Sequence, residues 1–174
     1  MRTSALHLFD ISPGQIDMEC GAALNPQLSE RPGFLVRRLH QIFVSIYLDS
    51  CKNFDTTPVQ SSVMQVLSFS PGLDQTSIAA EIGMDRTTTS NVLARLTARG
   101  IIRREVHGAD RRSKRAYLTA TGEAMIAEMQ TAIESAHRRL LAPLDEPDRK
   151  AFLSQIRHLV EANNQFGRTA LRHF

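Results

Sequence analysis

The residues best suited to chemistry lie between Asp85 and Arg115. The first group is Asp85-Arg86-Thr87-Thr88-Thr89-Ser90-Asn91, with Arg95 one helical turn further on. Asp85 can cap a helix, which places the residues after it in the helix's opening turns. Short hydroxyl side chains allow close approach and can donate to phosphate oxygens. Asn91 can pair with adenine, and Arg86 or Arg95 can reach guanine or phosphate. A Thr-Thr-Thr-Ser run is poor helix material, and a binding face at this position accounts for it. The second group is Arg111, Arg112, Lys114 and Arg115, a cluster of cations following a Gly108-containing turn. A basic tip fits a narrow minor groove, where the negative potential is strong. Asp110 does not suit a phosphate; it suits holding an arginine in place by a charge-assisted bond.

The charge distribution points the same way. The 174-residue chain has a formal net charge of +3. From Asp74 to Thr119 it holds Arg86, Arg95, Arg99, Arg103, Arg104, Arg111, Arg112, Lys114 and Arg115. Against them stand only Asp74, Glu81, Asp85, Glu105 and Asp110. The whole positive excess therefore lies in about a quarter of the chain, which suggests a polyanionic partner for that quarter. Residues 1–31 form an arm whose acids, Asp10, Asp17, Glu19 and Glu30, outnumber its bases. A short helix around Gln15–Leu24 is compatible with its pattern.

The elements that must position these groups can be read from periodicity. From Pro32 to about Asn53, Leu35, Leu39, Ile42, Phe43, Ile46 and Tyr47 recur at helical spacing. Thr57-Pro58 opens a second helix, with Val59, Val63, Val66 and Leu67 on its inner face, and Ser70-Pro71-Gly72 ends it. Asp74 caps a short helix that Gly83 closes; Asp85 caps the next, from Arg86 to Arg99, which Gly100 closes. Two short helices joined by a Gly-containing turn are a helix-turn-helix, with Ile78, Ala79, Ile82, Val92, Leu93 and Leu96 between them. Ile101–Val106 and Arg115–Leu118 read as a β-hairpin with a basic tip. Thr119 or Thr121 opens a long helix with a seam of Ile126, Met129, Ile133, Ala136, Leu140 and Leu144. Asp145 caps a last helix whose inner face is Phe152, Ile156, Leu159 and Phe166. The expected fold is mainly α: a winged helix-turn-helix over about 57–119, with long dimerisation helices at about 32–54 and 121–170.

In this order, Asp74-Gln75, Ile78-Ala79, Gly83, Asp85-Arg86-Thr87-Thr88, Leu96, Gly100-Ile101, Arg104, Asp110, Arg112, Leu118-Thr119 and Gly122 resemble the MarR family of bacterial winged-helix regulators. The resemblance runs from roughly Pro32 to Phe166. It implies a homodimer built through the first helix and the last two, bound to a pseudo-palindromic double-stranded DNA operator. Arg86–Asn91 would then sit in the major groove, and the wing from His107 to Arg115, with Arg112 leading, would reach the minor groove. The apolar stripes outside the winged helix support a dimer independently, since they exceed what so small a core can cover.

Family members often bind small aromatic acids or phenols in a crevice between the dimerisation helices and the DNA-binding lobe. The segment Pro32–Gln41 resembles the first helix of such members. The candidate lining is Arg37, Arg38, His40, Gln41 and Tyr47, because an anionic ligand wants a cation at one end of an apolar cleft. The expected protein is a repressor released by such a ligand. Two alternatives are a thiol-based redox-responsive regulator and a helical interaction module without DNA binding. The peroxide-sensing members carry a cysteine near the start of the first helix, and neither Cys20 nor Cys51 matches that position. The urate-responsive subgroup relies on a tryptophan, and this chain has none.

Other classes have no footing. The chain lacks a G-x-S-x-G elbow, a phosphate-binding glycine loop and a dinucleotide fingerprint, so no enzyme and no cofactor are expected. Its six histidines sit at no metal-ligand spacing. Without a signal-like N-terminus or an apolar run of about 18 residues, the expected location is the bacterial cytoplasm, at the nucleoid, with no membrane partner.

Overall fold

The computed structural model describes residues 26–106 and 114–171. It divides into two units, residues 1–37 and residues 38–174. In the first, α1 (Pro26–Ser29) precedes α2 (Pro32–Ser50), whose opening turns carry Arg37 over the ring of Phe34, 5.4 Å from its centroid.

The second unit begins within α2. A 3-10 turn at Lys52–Phe54 follows, then α3 (Pro58–Phe69), β1 (Leu73–Asp74), α4 (Gln75–Ile82), α5 (Arg86–Ala98), β2 (Ile102–Val106), β3 (Lys114–Leu118), α6 (Ala120–Leu141) and α7 (Glu146–Asn163). Capping explains most of these boundaries. Thr57 and Gln60 form a reciprocal capping box at 3.3 and 3.0 Å, with Pro58 in the first turn. Asp74, Asp85, Thr119 and Asp145 each accept a backbone N–H three residues on. At the far end of α5, Gly100 takes φ 69°. Its N–H bonds the carbonyl of Thr97 while that of Ile101 bonds Leu96, the paired closure that satisfies the last carbonyls of a helix.

The sheet contains a strand that periodicity missed. β1 pairs with β3 through Leu73 and Ala116, so the order is β1-β3-β2, all antiparallel. Two residues are too few to show alternation; only the pairing reveals them. The core joins Val63, Met64 and Leu67 of α3 to Ile78, Leu93 and Leu96, to Ile102, Ala116 and Leu118 of the hairpin, and to Ile126, Met129 and Ile133 of α6. Most of the α6 seam is thus consumed inside one chain. Asp49 and Arg139 pair at 2.6 Å and tie the end of α2 to α6, and that bond holds the Asp49 carboxyl below the usual range.

α7 stands apart from the core. None of its residues is buried; Leu153, Ile156 and Leu159, with Phe166 beyond it, lie open, as do Ile42 and Leu48 on α2. Of the expected inner face, Phe152 is half-buried, while Ile156, Leu159 and Phe166 are exposed among the described residues. No described helix is long and apolar enough to cross a membrane.

Candidate nucleic-acid interface

Asp85 organises the start of α5. Its two carboxylate oxygens accept the N–H of Thr88 at 2.9 Å and the hydroxyl of Thr88 at 2.7 Å. The Thr88 N–H does most to hold the Asp85 carboxyl below its ordinary range, followed by the Thr88 hydroxyl. The Thr87 N–H and the positive charge of Arg168 add to the effect, against a partial opposing cost of burial.

This arrangement sorts the hydroxyl run that sequence reasoning treated as one face. Thr89 is fully buried, and its hydroxyl donates to the Asp85 carbonyl at 2.9 Å. It is a core residue, and its expected place among the DNA-contacting side chains is corrected on that ground. Thr88 is half-buried with its hydroxyl engaged by Asp85, and Ser90 is half-buried. Arg86, Thr87, Asn91 and Arg95 are exposed. Thr87, Asn91, Ala94, Arg95 and Ala98 follow one another at helical spacing and form a single open stripe. Leu93 and Leu96 face the core on the opposite side.

Three residues outside the expected set position this helix. Gln75 donates to the Arg86 carbonyl at 3.2 Å, and Arg104 of β2 donates to the Gln75 side-chain oxygen at 3.5 Å. The relay joins the strand at the wing's root to the opening turn of α5. Arg104 Nε is buried with no hydrogen-bond partner among the described residues. Arg99, past the other end of the helix, donates to the carbonyls of Asp55 at 2.6 Å and Phe54 at 3.1 Å. No local pattern marks these roles, because the bonds span from 11 to 45 positions.

At the wing, Arg103 pairs with Glu105 and lies over the Tyr117 ring, 4.6 Å from its centroid. Lys114 is exposed at the start of β3. Asp110, Arg111 and Arg112 fall outside the described residues.

The expected ligand residues separate into two groups. Arg38, His40 and Gln41 share a groove of about 630 Å³ along α2 with Ile42, Val44, Ser45 and Ile46. Tyr47 does not join them. It is buried, its hydroxyl 3.5 Å from that of Thr56, and burial raises its pKa. The Tyr47 assignment is therefore corrected: it shares the helical face of His40, two turns on, but at that level the face is covered by the core and by Thr56. A second cavity, about 580 Å³, lies among the end of α2, the start of α3 and the C-terminal half of α5. Lys52, Arg95 and Arg99 supply its cations, and Leu48 and Ala98 apolar wall. Cys51 also lines it, but is 1% exposed, and desolvation pushes its thiol pKa up, against thiolate reactivity.

A capped helix-turn-helix, a basic hairpin packed against it and an exposed polar stripe on the second helix define a winged-helix DNA-binding regulator. The MarR family model matches residues 54–113, which span α3 to the wing. The transcriptional regulator HosA of Escherichia coli O111:H- is 30% identical over 108 residues, 62% of this chain and 80% of that protein. Among solved structures, the transcriptional repressor CouR bound to a 23-mer DNA duplex is 30% identical with a TM-score of 0.72, covering 78% of this chain and 96% of that one. Bordetella bronchiseptica BpsR, solved to describe regulation of its DNA binding by 6-hydroxynicotinic acid, is 26% identical with a TM-score of 0.69, covering 73% and 96%. The chain belongs to the MarR family of transcriptional regulators.

Proposed function

We propose that the protein is a homodimeric repressor that binds a pseudo-palindromic duplex operator in the bacterial cytoplasm and is released by a small aromatic acid or phenol. The observation that carries the DNA reading is the exposed stripe Thr87–Asn91–Arg95 on a helix anchored at both ends. Arg86, Thr87, Asn91 and Arg95 would face base edges and phosphates, with Ser90 and the Thr88 methyl at the margin. Arg111, Arg112 and Lys114 would follow the minor groove, with Asp110 bracing the wing. The test is a gel-shift titration with DNA from upstream of the protein's own gene. Binding should weaken steeply with salt, as phosphate contacts require. Arg112→Ala should cost about 1–3 kcal/mol of affinity with no change in melting temperature. Unchanged affinity would remove the wing from the interface.

The dimer reading rests on the exposed large apolar side chains of α7 and α2, Ile156, Leu159, Leu153, Ile42 and Leu48, of the kind that mark an interaction surface when they group on one element. Leu159→Lys should weaken dimerisation by about 2 kcal/mol, roughly thirtyfold in Kd. Sedimentation equilibrium measures this directly, and a dimer of unchanged strength would place the interface elsewhere.

The effector reading draws support from the two cation-bearing recesses and from the 6-hydroxynicotinic acid response of BpsR. The cavity walled by Arg95 and Arg99 touches the recognition helix itself. An acid bound there would act only through its different affinity for the DNA-competent and incompetent states. A thermal-shift screen of small aromatic acids, repeated as a DNA titration with each hit, tests this. Hits that stabilise the protein without weakening its DNA binding would reject release by ligand.

A further inference from the structure

The chain does not end its structured course with α7. A 3-10 turn at Asn164–Phe166 follows, and Gly167 continues in extended conformation. The segment then returns to the helix-turn-helix. Asn164 fastens it at two points: its amide N–H donates to the Leu171 carbonyl at 3.0 Å, and its amide oxygen accepts the Leu171 N–H at 2.9 Å. The Leu171 side chain rests on the turn between α4 and α5. Its Cδ2 is 3.1 Å from where a Cβ on Gly83 would stand. Gly83 holds φ 65° there, and the Met84 N–H closes the turn on the Ala79 carbonyl. Glycine suits both the left-handed turn and this contact, where a Cβ would require the Leu171 side chain to give by a few tenths of an ångström.

The position of the segment has an electrostatic consequence. Arg168 is exposed, and its positive charge acts on Asp85, the residue that caps the recognition helix. A cation from a distant part of the chain thus lies within electrostatic reach of the residue that caps the recognition helix, three residues before the Leu171 that rests on Gly83. No motif in the chain announces it, since 82 positions separate Arg168 from Arg86. The chain's charge excess between Asp74 and Thr119 did not include it.

We propose that the segment Gly167–Leu171 is part of the DNA-binding surface. Leu171 and Asn164 are positioning residues that hold the segment on the helix-turn-helix turn, and Arg168 contacts an operator phosphate flanking the recognition helix. The proposal rests on the DNA-binding reading above and adds to it a contact outside the winged helix.

The experiment is a set of DNA titrations at several salt concentrations, using the full chain and a labelled duplex from upstream of its own gene. Each phosphate contact contributes about 0.9 to the slope of log K against log salt. Arg168→Ala should therefore flatten the slope by about 0.9 per bound protomer, and Arg168→Lys should restore it. Leu171→Ser should release the segment and flatten the slope by the same amount. Adding Arg168→Ala to Leu171→Ser should then change nothing more, a non-additivity that mere loss of stability does not produce. A wild-type slope in Arg168→Ala overturns the proposal. So does an Arg168→Ala effect that is equally large with Leu171 and with Leu171→Ser. Absence of salt-dependent binding by the wild type would instead defeat the DNA-binding reading itself, so the two failures are distinct.

Discussion

Asn91→Asp should abolish most operator binding while leaving the fold intact. Asn91 is exposed in the middle of the open stripe on α5, with Thr87 one turn before it and Arg95 one turn after it. The substitution is nearly isosteric, and no described hydrogen bond of the protein depends on the Asn91 side chain. It changes a group that can donate and accept into one that only accepts and carries a negative charge. Against DNA this has three consequences. A bidentate contact to adenine is lost, a carboxylate meets the phosphate field, and the new carboxylate can pair with Arg95 at i,i+4 and withdraw that cation. Like-charge juxtaposition in an interface costs several kcal/mol. A loss of about 3 kcal/mol, roughly 150-fold in Kd, is the expected result. Fluorescence anisotropy with labelled duplex measures it, with a thermal melt as the control. Affinity within twofold of the wild type would show that this stripe does not face DNA.

Gly122→Ala should have the largest effect on stability. Gly122 lies in the first turn of α6, where its N–H bonds the capping hydroxyl of Thr119 at 3.1 Å. The same Thr119 bonds the Ile101 carbonyl through its N–H at 3.0 Å and reaches it through its hydroxyl at 3.1 Å. A Cβ on Gly122 would meet that carbonyl oxygen at an impossible 2.2 Å, and the Leu118 side chain at 3.2 Å. Backbone cannot yield as a flexible side chain does, so the start of α6 must shift away from the end of α5. For an ordinary helical glycine the change to alanine stabilises by up to about 1 kcal/mol. Here overpacking outweighs that gain, and a net loss of about 3 kcal/mol is expected. For a chain of this length that lowers Tm by roughly 6–12 °C, measured at one protein concentration because association also moves Tm. An unchanged or higher Tm would show that the two segments are not packed this closely.

The two recesses differ in how far sequence reasoning could find them. Arg38, His40 and Gln41 lie close together on one helix, and their grouping follows from local spacing. The cavity bordered by Lys52, Gln60, Arg95 and Arg99 draws on three elements, and only packing assembles it. Tyr47 shows the limit of helical spacing as a guide. It lies on the face of α2 that a polar phenol shares with Phe43, but what that face meets, α3 and Thr56, is a tertiary matter.

Local signals were enough for most of the architecture. Each cap, each helix-ending glycine and each apolar period acts over three to seven residues, so the helix-turn-helix, the hairpin and the long flanking helices could be read before any packing was known. The concentration of positive charge around the recognition helix was equally legible. Packing decided which members of that region are free to act. It committed Thr89 to the core and Thr88 to the cap, tied Gln75 and Arg104 to the opening of α5, and left Ile42 and Leu48 of α2 and Leu153, Ile156 and Leu159 of α7 exposed. It also added the third strand at Leu73 and brought Leu171 onto Gly83 from 88 positions away. The reason is physical. A local pattern specifies which backbone groups and faces need partners, whereas the partner itself is chosen by chain closure over long distances, where no short sequence motif carries the information.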